Sequence, residues 1–470
     1  MHSMSTTTLL HLAPSGRKKV QAAFTGGTIA SDGGVLLLRE VANKLKLFER
    51  MAACFRDHRR PERIEHTVES MLAQRVLGIA CGYEDLEDHD ILRRDPLFAL
   101  AAGKRDLVGE GRIHAGDRGN ALAGKSTLQR FEATPADAGS ASRYKKVVYD
   151  ARALERLFLD LFLEAHPTPP KEIVLDVDAT DDPIHGGQEG AFFNGFYDGY
   201  CYLPTYIFCD GFLLAAALRT SDCDPGTAAG EDLARVIGAI RERWPTVRII
   251  VRGDSGFCRD PLLSLFETSQ VDYVVGLPRN SRLLENIEPA LATARSRHEV
   301  TGKPEREFVD FSYKTMRSWS HERRVVGKAE RVEGKDNPRF VVTSIAASEL
   351  DPAALYETLY CARGDMENRI KEQQLGLFAD RTSSHTMRAN QLRLWLSSFA
   401  YVLLHELRRH ALAKTKLAAA QVWTIRESLL KIGARVHLSA RRVYVALSSG
   451  HPMREVFTAA LLTLRNAMAA

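Results

Sequence analysis

The sequence predicts an α/β protein in which a mixed sheet with a β-rich insertion lies between helical N-terminal and C-terminal regions. Apolar residues recur at helical spacing in the first 165 residues, and strand and helix patterns alternate after the proline-rich segment 166–170. Everything beyond Pro352 again has a helical pattern. Strands joined first as hairpins and then through helices are typical of a mixed sheet. A chain of 470 residues exceeds one ordinary core, so we expect two or three domains.

The first region, 1–168, is predicted to be mainly helical. Within 66–81 the apolar residues recur at helical spacing, and Gly82 ends the pattern. A second helical pattern covers 144–165. The prolines of 166–170 stop it, because proline cannot continue a helix. We therefore place the strongest domain boundary there.

The next regions follow from changes in periodicity. The first part of the core, 169–279, should contain one helix at 231–244 and a shorter one near 261–269, with strands at 171–178, 192–202, 203–218, 247–251 and 272–277. The β-rich insertion, 280–350, should contain short antiparallel strands at 306–313, 323–326 and 339–345. A second part of the core, 351–410, and a basic helical region, 411–470, complete the predicted organisation.

The charge is unevenly distributed. The net charge is only +5, but from Ser384 to Ala470 there are thirteen Lys and Arg residues against three acids. Such a basic segment suits a polyanionic partner. A solvated helical surface explains the same count equally well.

Cysteine usage and hydropathy point to a soluble cytoplasmic protein. The seven cysteines are unpatterned, which indicates free thiols in a reducing compartment. The N-terminal residues lack the apolar run of a signal peptide. The longest largely apolar run, 394–404, is too short to cross a bilayer, so no membrane association is expected.

One motif suggests a nucleotide site and is rejected. Residues 119–126 match the phosphate-loop pattern GxxxxGK[ST], with Lys125 and Ser126 at its end. That chemistry requires a buried strand before the loop, and here the preceding stretch is polar. We expect no nucleotide cofactor, and we interpret Ser126 as the N-cap of a helix.

Three acids are placed where they could meet. Asp178 ends the first predicted strand, Asp254 ends a later one, and Glu367 lies on a predicted helix that begins near Leu359. Hard oxygen ligands on rigid elements can hold two magnesium ions, which activate a water or a 3′-hydroxyl and steady the leaving oxygen in phosphodiester transfer. Asp176 and Asp182 are rivals to Asp178, since strand alternation would place all three on one face.

The helix around Glu367 carries cations on the same face. Arg363, Glu367 and Lys371 follow at i, i+4 and i+8. The functional interpretation places the carboxylate on a metal and both cations on DNA phosphates. The alternative is a solvated ladder of ion pairs.

Taken in this order, the motifs resemble those of DDE transposases from bacterial insertion sequences, close to the family numbered thirteen-eighty. The resemblance spans nearly the whole chain and is carried by 24–27, 31–34, 175–182, 253–257, 360–371, 380–383 and 388–393. It implies a ribonuclease-H-like core with Asp178, Asp254 and Glu367 as the metal-binding triad. It also implies a β-rich insertion between the second Asp and the Glu, which here lies 113 residues later.

The resemblance also bears on individual residues. Related transposases have a Tyr-x2-Arg-x3-Glu-x6-Lys signature, which Tyr360, Arg363 and Glu367 fit. The expected Lys position holds Gln374, and the nearest lysine is Lys371, so the role of Lys371 stays open. The Asp-x-Thr pattern of the family favours Asp178 over its rivals.

The resemblance implies a transposase that binds terminal inverted repeats and catalyses metal-dependent DNA cleavage and strand transfer. Mg²⁺ is the expected cofactor, with Mn²⁺ as a substitute. Double-stranded DNA is the expected partner, with a homodimer in a synaptic complex and a location at the bacterial nucleoid. Tyr360, Arg363 and Lys371 are the expected DNA-binding residues. The alternatives are a non-catalytic regulator derived from a transposase and a repair nuclease that joins no strands.

Overall fold

The computed structural model describes residues 8–469, which form two compact units. The terminal unit comprises the described residues up to Glu49, Arg60–Gln129 and the described residues from Glu406 onward. The central unit comprises Arg50–Arg59 and Arg130–His405. Among the described residues, no helix is both long and apolar enough to cross a membrane. All seven cysteines are free thiols, as predicted.

The strands are, in chain order, β1 (Leu10–Ser15), β2 (Lys18–Ala22), β3 (Ile29–Ala30), β4 (Phe55–Asp57), β5 (Val147–Tyr149), β6 (Glu172–Ala179), β7 (Asp182–Pro183), β8 (Phe192–Asn194), β9 (Gly199–Tyr202), β10 (Thr205–Cys209), β11 (Phe212–Ala217), β12 (Arg248–Gly253), β13 (Asp272–Leu277), β14 (Glu305–Tyr313), β15 (Arg323–Val332), β16 (Lys335–Asp336), β17 (Arg339–Thr343), β18 (Ala434–Leu438) and β19 (Val443–Leu447).

The α-helices are α1 (Val35–Leu45), α2 (Leu47–Ala53), α3 (Val68–Cys81), α4 (His89–Leu92), α5 (Pro96–Ala101), α6 (Lys125–Glu132), α7 (Ala151–Glu164), α8 (Pro225–Arg243), α9 (Asp260–Thr268), α10 (Ser281–Thr301), α11 (Pro352–Ala354), α12 (Gly364–Lys371), α13 (Met387–Leu407), α14 (Val422–Ile425) and α15 (Arg454–Ala469).

A large mixed sheet is the core of the central unit, as predicted. Its strand order is β11-β10-β6-β12-β13-β17-β15-β14, and β16 pairs with β15. The three middle strands β6, β12 and β13 are parallel, and the outer pairings are antiparallel. Strands covered on both faces need apolar residues on both, and β12 supplies Ile249 and Val251 to one face and Ile250 to the other.

The helix α8 packs on one face of this sheet. Its residues Leu233, Val236 and Ile240 are buried in the same cluster as Leu175 and Val177 of β6. Asp224 caps the helix by accepting a hydrogen bond from the backbone N–H of Thr227, and Pro225 occupies the first turn. The helix therefore begins six residues before its predicted start at 231.

The segment predicted as a β-rich insertion joins the central sheet. β14, β15 and β17 extend the sheet beyond β13, and the predicted strand at 323–326 is longer, reaching Val332. The first part of the segment is the helix α10, which the sequence analysis did not assign. Leu283, Ile287 and Leu291 of this helix are buried in the main cluster.

The terminal unit combines helices with a small sheet. Thr67 caps α3 by accepting a hydrogen bond from the Ser70 N–H at 3.1 Å, and Gly82 ends the helix at φ +94°, which confirms the predicted helix over 66–81. The expectation that everything after Pro352 is helical is wrong. β18 and β19 form an antiparallel hairpin, and β18 also pairs with β3.

Candidate active site

The ends of two parallel strands bring the first two predicted acids together. In the register of β6 and β12, Asp176 lies opposite Arg252 and Val177 lies opposite Gly253. Asp178 and Asp254 each follow the Val177–Gly253 pair, so both lie at the carboxyl ends of these parallel strands, on the same side of the sheet. Asp254 then caps the turn 255–257, where its Oδ1 accepts a hydrogen bond from the Gly256 N–H at 2.9 Å.

The surroundings of the Asp178 carboxyl raise its pKa. Its side chain is only 15% exposed. Burial raises the pKa of Asp178 to about 7, the Arg363 guanidinium opposes that rise, and the charges of Asp254 and Glu367 add to it. All four groups therefore belong to one electrostatic cluster. Such perturbation by burial and by specific charges is frequent at functional sites.

Arg363 joins the first and third acids. Its Nη1 donates a hydrogen bond to Oδ2 of Asp178 at 3.0 Å, and its Nη2 donates one to Oε1 of Glu367. Arg363 ends the short turn Cys361–Arg363, and Glu367 lies in the first turn of α12. Burial lowers the pKa of the guanidinium, but the charges of Asp178 and Glu367 outweigh this and leave the pKa raised. Lys371, on the same helix, is exposed.

The two rivals of Asp178 have other partners. Asp176 accepts two hydrogen bonds from Arg252, at 2.5 and 2.8 Å, and is buried. Asp182 is also buried and accepts a hydrogen bond from the Thr382 hydroxyl at 2.7 Å. The expectation that the three aspartates share one strand is wrong for Asp182, because β6 ends at Ala179 and Asp182 begins β7.

A cleft beside Asp254 contains cations that the sequence analysis missed. It has a volume of about 460 Å³, and its lining includes Asp254, Tyr360, Arg279 and Arg339. Single exposed arginines carry no sequence pattern, and only the packing of β13 against β17 brings these two together. The cleft thus combines one of the acids with two groups suited to a phosphate.

Gln374, which stands at the position of the family lysine, contacts the segment after Asp178. Its Nε2 donates a hydrogen bond to the Asp181 carbonyl at 2.9 Å, and its Oε1 accepts one from the Thr180 hydroxyl at 3.4 Å. This residue therefore ties the segment after α12 to the end of β6.

The carboxylates of Asp178, Asp254 and Glu367 suit a hard divalent cation, since carboxylate oxygens are the usual ligands of such ions. A nearby positive charge favours the ionised form of the Asp178 carboxyl, and Arg363 supplies that charge here. Within residues 8–469, no group of three or more acidic, histidine or cysteine side chains is arranged so that it could hold a metal ion. Joint coordination by Asp178 and Glu367 would therefore require the Arg363 guanidinium to move.

The phosphate-loop match has a structural explanation. Lys125 forms an ion pair with Glu87 at 2.7 Å, and its backbone N–H donates a hydrogen bond to Asp90. Acidic groups therefore occupy the positions that a phosphate would need. The expectation that Ser126 is an N-cap is wrong, because α6 already begins at Lys125.

The motif at 31–34 stabilises the terminal unit. Buried Asp32 accepts a hydrogen bond from the Tyr83 hydroxyl at 2.7 Å and pairs with Lys431 at 2.7 Å. The Gly34 N–H donates to the Leu430 carbonyl at 3.0 Å. A Cβ on Gly34 would lie 2.0 Å from the Leu429 carbonyl oxygen, so this close backbone approach requires glycine.

Comparisons with known proteins find a matching family model and a similar solved structure. The family model described as "Transposase DDE domain group 1" matches residues 12–469. A solved structure, the cryo-EM structure of the piggyBac transposase synaptic complex with hairpin DNA, is similar with 12% sequence identity and a TM-score of 0.38. The similarity covers 94% of this chain and 82% of that one. A search of curated proteins finds no match.

Proposed function

Since the chain belongs to the transposase family with a DDE domain of group 1, we propose that it binds the terminal inverted repeats of an insertion sequence, cleaves the DNA there and joins the freed ends to target DNA. The observation that carries this proposal is the position of Asp178 and Asp254 at the carboxyl ends of two parallel strands, with Glu367 linked to Asp178 through Arg363. We assign the core to the ribonuclease-H-like class and the element to the bacterial family thirteen-eighty.

Asp178, Asp254 and Glu367 are the proposed ligands of Mg²⁺, for which Mn²⁺ can substitute. Bound there, the metal would supply Lewis-acid stabilisation and an activated water or 3′-hydroxyl. The Asp178 side chain is only 15% exposed, which limits the access of bulk water to one side of the site. Low polarity around a developing charge strengthens each electrostatic interaction that the protein makes with it.

The cations around the acids are proposed to hold the DNA backbone. Arg279 and Arg339 line the cleft beside Asp254 and would contact the phosphates that flank the scissile bond. Tyr360, in the same lining, would position the DNA strand. Arg363 would exchange its bonds to Asp178 and Glu367 for a phosphate, and exposed Lys371 would contact the backbone further along. Two element ends must be held together, so we propose a homodimer in the synaptic complex and a location at the nucleoid.

The test uses a supercoiled plasmid that carries both ends of the element. With Mg²⁺, we expect cleavage at the ends and covalent joining to a second plasmid, both resolved by gel electrophoresis. Specific binding without cleavage would favour a regulator instead. Cleavage of branched DNA without any joining would favour a repair nuclease.

A further inference from the structure

A hairpin next to the acids exposes several aromatic rings. This aromatic hairpin comprises β8, the turn 195–198 and β9. Phe196 is 87% exposed, Tyr200 58% and Phe193 56%. Exposed aromatic residues that cluster on a short element mark an interaction surface more often than single exposed apolar residues do.

The rings are arranged on one face of the hairpin and at its tip. Phe193 and Tyr200 are directly opposite in the register, with ring centroids 5.7 Å apart in an edge-to-face arrangement. Phe192 pairs with Cys201 and therefore points to the other face, because side chains alternate along a strand. Phe196 lies at the tip against Tyr197, with ring centroids 4.9 Å apart.

The side chain of Asn194 helps to hold the tip in place. Oδ1 of Asn194 accepts hydrogen bonds from the N–H groups of Phe196 and Tyr197, at 3.0 and 3.4 Å. Its Nδ2 donates one to the Ser221 carbonyl at 3.1 Å. The rings are therefore presented in a preformed arrangement, which lowers the entropic cost of binding a ligand.

The hairpin lies beside the candidate active site. β9 pairs with β7, which follows the strand that carries Asp178. Burial together with the charges of Asp181, Asp178 and Asp254 raises the pKa of Tyr197 to about 12. The turn is thus within electrostatic reach of two of the proposed catalytic acids.

The chemistry of this surface selects its ligand. Residues 192–202 contain no lysine or arginine, and their one charged residue is Asp198. A DNA phosphate would find no cation on this hairpin, whereas the flat face of a nucleobase can stack on an aromatic ring whatever the base. Bases inside a duplex are already stacked on each other, so only unpaired bases can reach such a surface.

We propose that the aromatic hairpin stacks unpaired bases of the DNA strand whose phosphate lies at Asp178 and Asp254. The inference rests on the proposed function and adds a substrate feature to it. DNA with unpaired nucleotides next to the cleavage site should bind more tightly than fully paired DNA.

The probe is a short duplex with a single-stranded overhang that contains 2-aminopurine, a base whose fluorescence falls on stacking. It is titrated with the full chain in a Ca²⁺ buffer, beside a blunt duplex of the same sequence. The wild-type chain should quench the overhang probe. The variant Phe193→Ala/Phe196→Ala/Tyr200→Ala should bind the overhang at least about fivefold more weakly, since base–aromatic stacking contributes roughly 1–3 kcal/mol per base. Its affinity for blunt DNA should not change.

Phe192→Ala is the matched control, because it removes an exposed ring from the other face of the same strand. This variant should quench the 2-aminopurine fluorescence of the overhang probe as strongly as the wild type does. Phe196→Ala alone removes the most exposed ring at little risk to folding and should recover part of the fluorescence. Thermal unfolding of each variant checks that the fold is kept.

Two results would overturn the proposal. One is equal binding of the overhang by the wild type and the triple variant. If the triple variant also changes from dimer to monomer, the surface would be assigned to contact with a second copy of the chain. The other is an equal loss of affinity for overhang and blunt DNA. The quenching assay needs no cleavage. A wild type that quenches but cannot cleave element ends would therefore contradict the proposed function alone.

Discussion

Asp176 and Arg252 lie opposite each other on parallel strands and form a buried ion pair with two hydrogen bonds, at 2.5 and 2.8 Å. The pair accounts for both oxygens of Asp176. Asp178, two residues later near the end of β6, accepts its hydrogen bond from Arg363 instead. These neighbouring aspartates therefore have different partners, and their substitutions should have opposite consequences.

The first prediction compares these two aspartates. Asp176→Asn leaves the Arg252 charge buried without its counter-charge and should lower the free energy of unfolding by about 3–5 kcal/mol. Asp178→Asn should change stability less, because burial disfavours its ionised form and Arg363 keeps its bond to Glu367. It should abolish DNA cleavage while DNA binding persists. Urea unfolding and plasmid cleavage measure the two effects, and cleavage by Asp178→Asn would return Asp176 or Asp182 to consideration.

The second prediction compares two acids in the first turn of α12. Glu367→Gln should eliminate cleavage, because it removes one carboxylate of the proposed metal site. Asp365→Asn is the matched control, since Asp365 is an exposed acid in the same turn. It should retain near wild-type cleavage in the same assay. A similar loss of cleavage in both variants would show that the total charge of the helix matters rather than the Glu367 carboxylate itself.

The third prediction concerns a close approach at Gly276. A Cβ there would lie 2.8 Å from the Tyr360 hydroxyl and 2.9 Å from the Ser255 nitrogen. Gly276→Ala should therefore cost about 1–3 kcal/mol of stability. It should also displace Asp254 and reduce cleavage by about 100-fold.

Gly238→Ala is the control for that substitution. An added Cβ at Gly238 on α8 meets no atom within 4 Å. This variant should be as stable as the wild type or more so, by up to ~1 kcal/mol. Thermal unfolding and cleavage rates are measured for both variants. Equal stability and equal cleavage in the two would show that the close approach at Gly276 has no steric cost.

The fourth prediction is a pH dependence of stability. Burial, aided by the charges of Asp380 and Asp181 and opposed by Thr382, raises the pKa of Asp182 to about 8. The folded state therefore holds a proton that the unfolded state releases above its own pKa of roughly 4. Stability should fall as the pH rises from about 4 to about 8, since the folded state binds more protons there.

Asp182→Asn should remove this part of the pH dependence. Asparagine can still accept the hydrogen bond from Thr382. Urea unfolding at several pH values within the window measures the slope, with exposed Asp198→Asn as the control. Asp178, whose pKa is also raised, keeps part of the slope in this window, so Asp182→Asn should make the slope shallower. A slope as steep in Asp182→Asn as in the wild type would assign the dependence to other groups.

The fifth prediction concerns the basic C-terminal segment. Arg441 and Arg442 are exposed at the turn between β18 and β19. Neutralising both should weaken specific and random DNA similarly and flatten the salt dependence of binding by about two units. Arg426, by contrast, is buried and donates hydrogen bonds to the carbonyls of Ala80 and Ile79. Substitution of Arg426 should therefore destabilise the protein. An unchanged salt dependence of DNA binding in the Arg441/Arg442 double variant would show that the segment is purely structural.

The sequence predicts β6, β12 and β13 well, because their apolar runs depend on local pattern alone. The predicted single strands at 192–202 and 203–218 are wrong, since each segment turns back on itself as a hairpin, β8 with β9 and β10 with β11. The hairpin of β18 and β19 could not be predicted, since its short strands are largely exposed, Arg435 interrupts β18, and two further cations occupy the turn. The partner of Asp176 could not be predicted either, because Arg252 lies 76 residues away and only the strand register joins them. The proximity of Arg279 and Arg339 to Asp254 could not be predicted for the same reason.

The pairing of β13 with β17 has a consequence for how this chain can be shortened. Without β14, β15 and β17, the parallel strand β13 would become a free edge with unpaired backbone groups. Free edges of this kind promote pairing between chains and aggregation. An internal deletion that brings Glu367 closer to Asp254 in sequence would therefore produce an insoluble protein rather than a minimal enzyme.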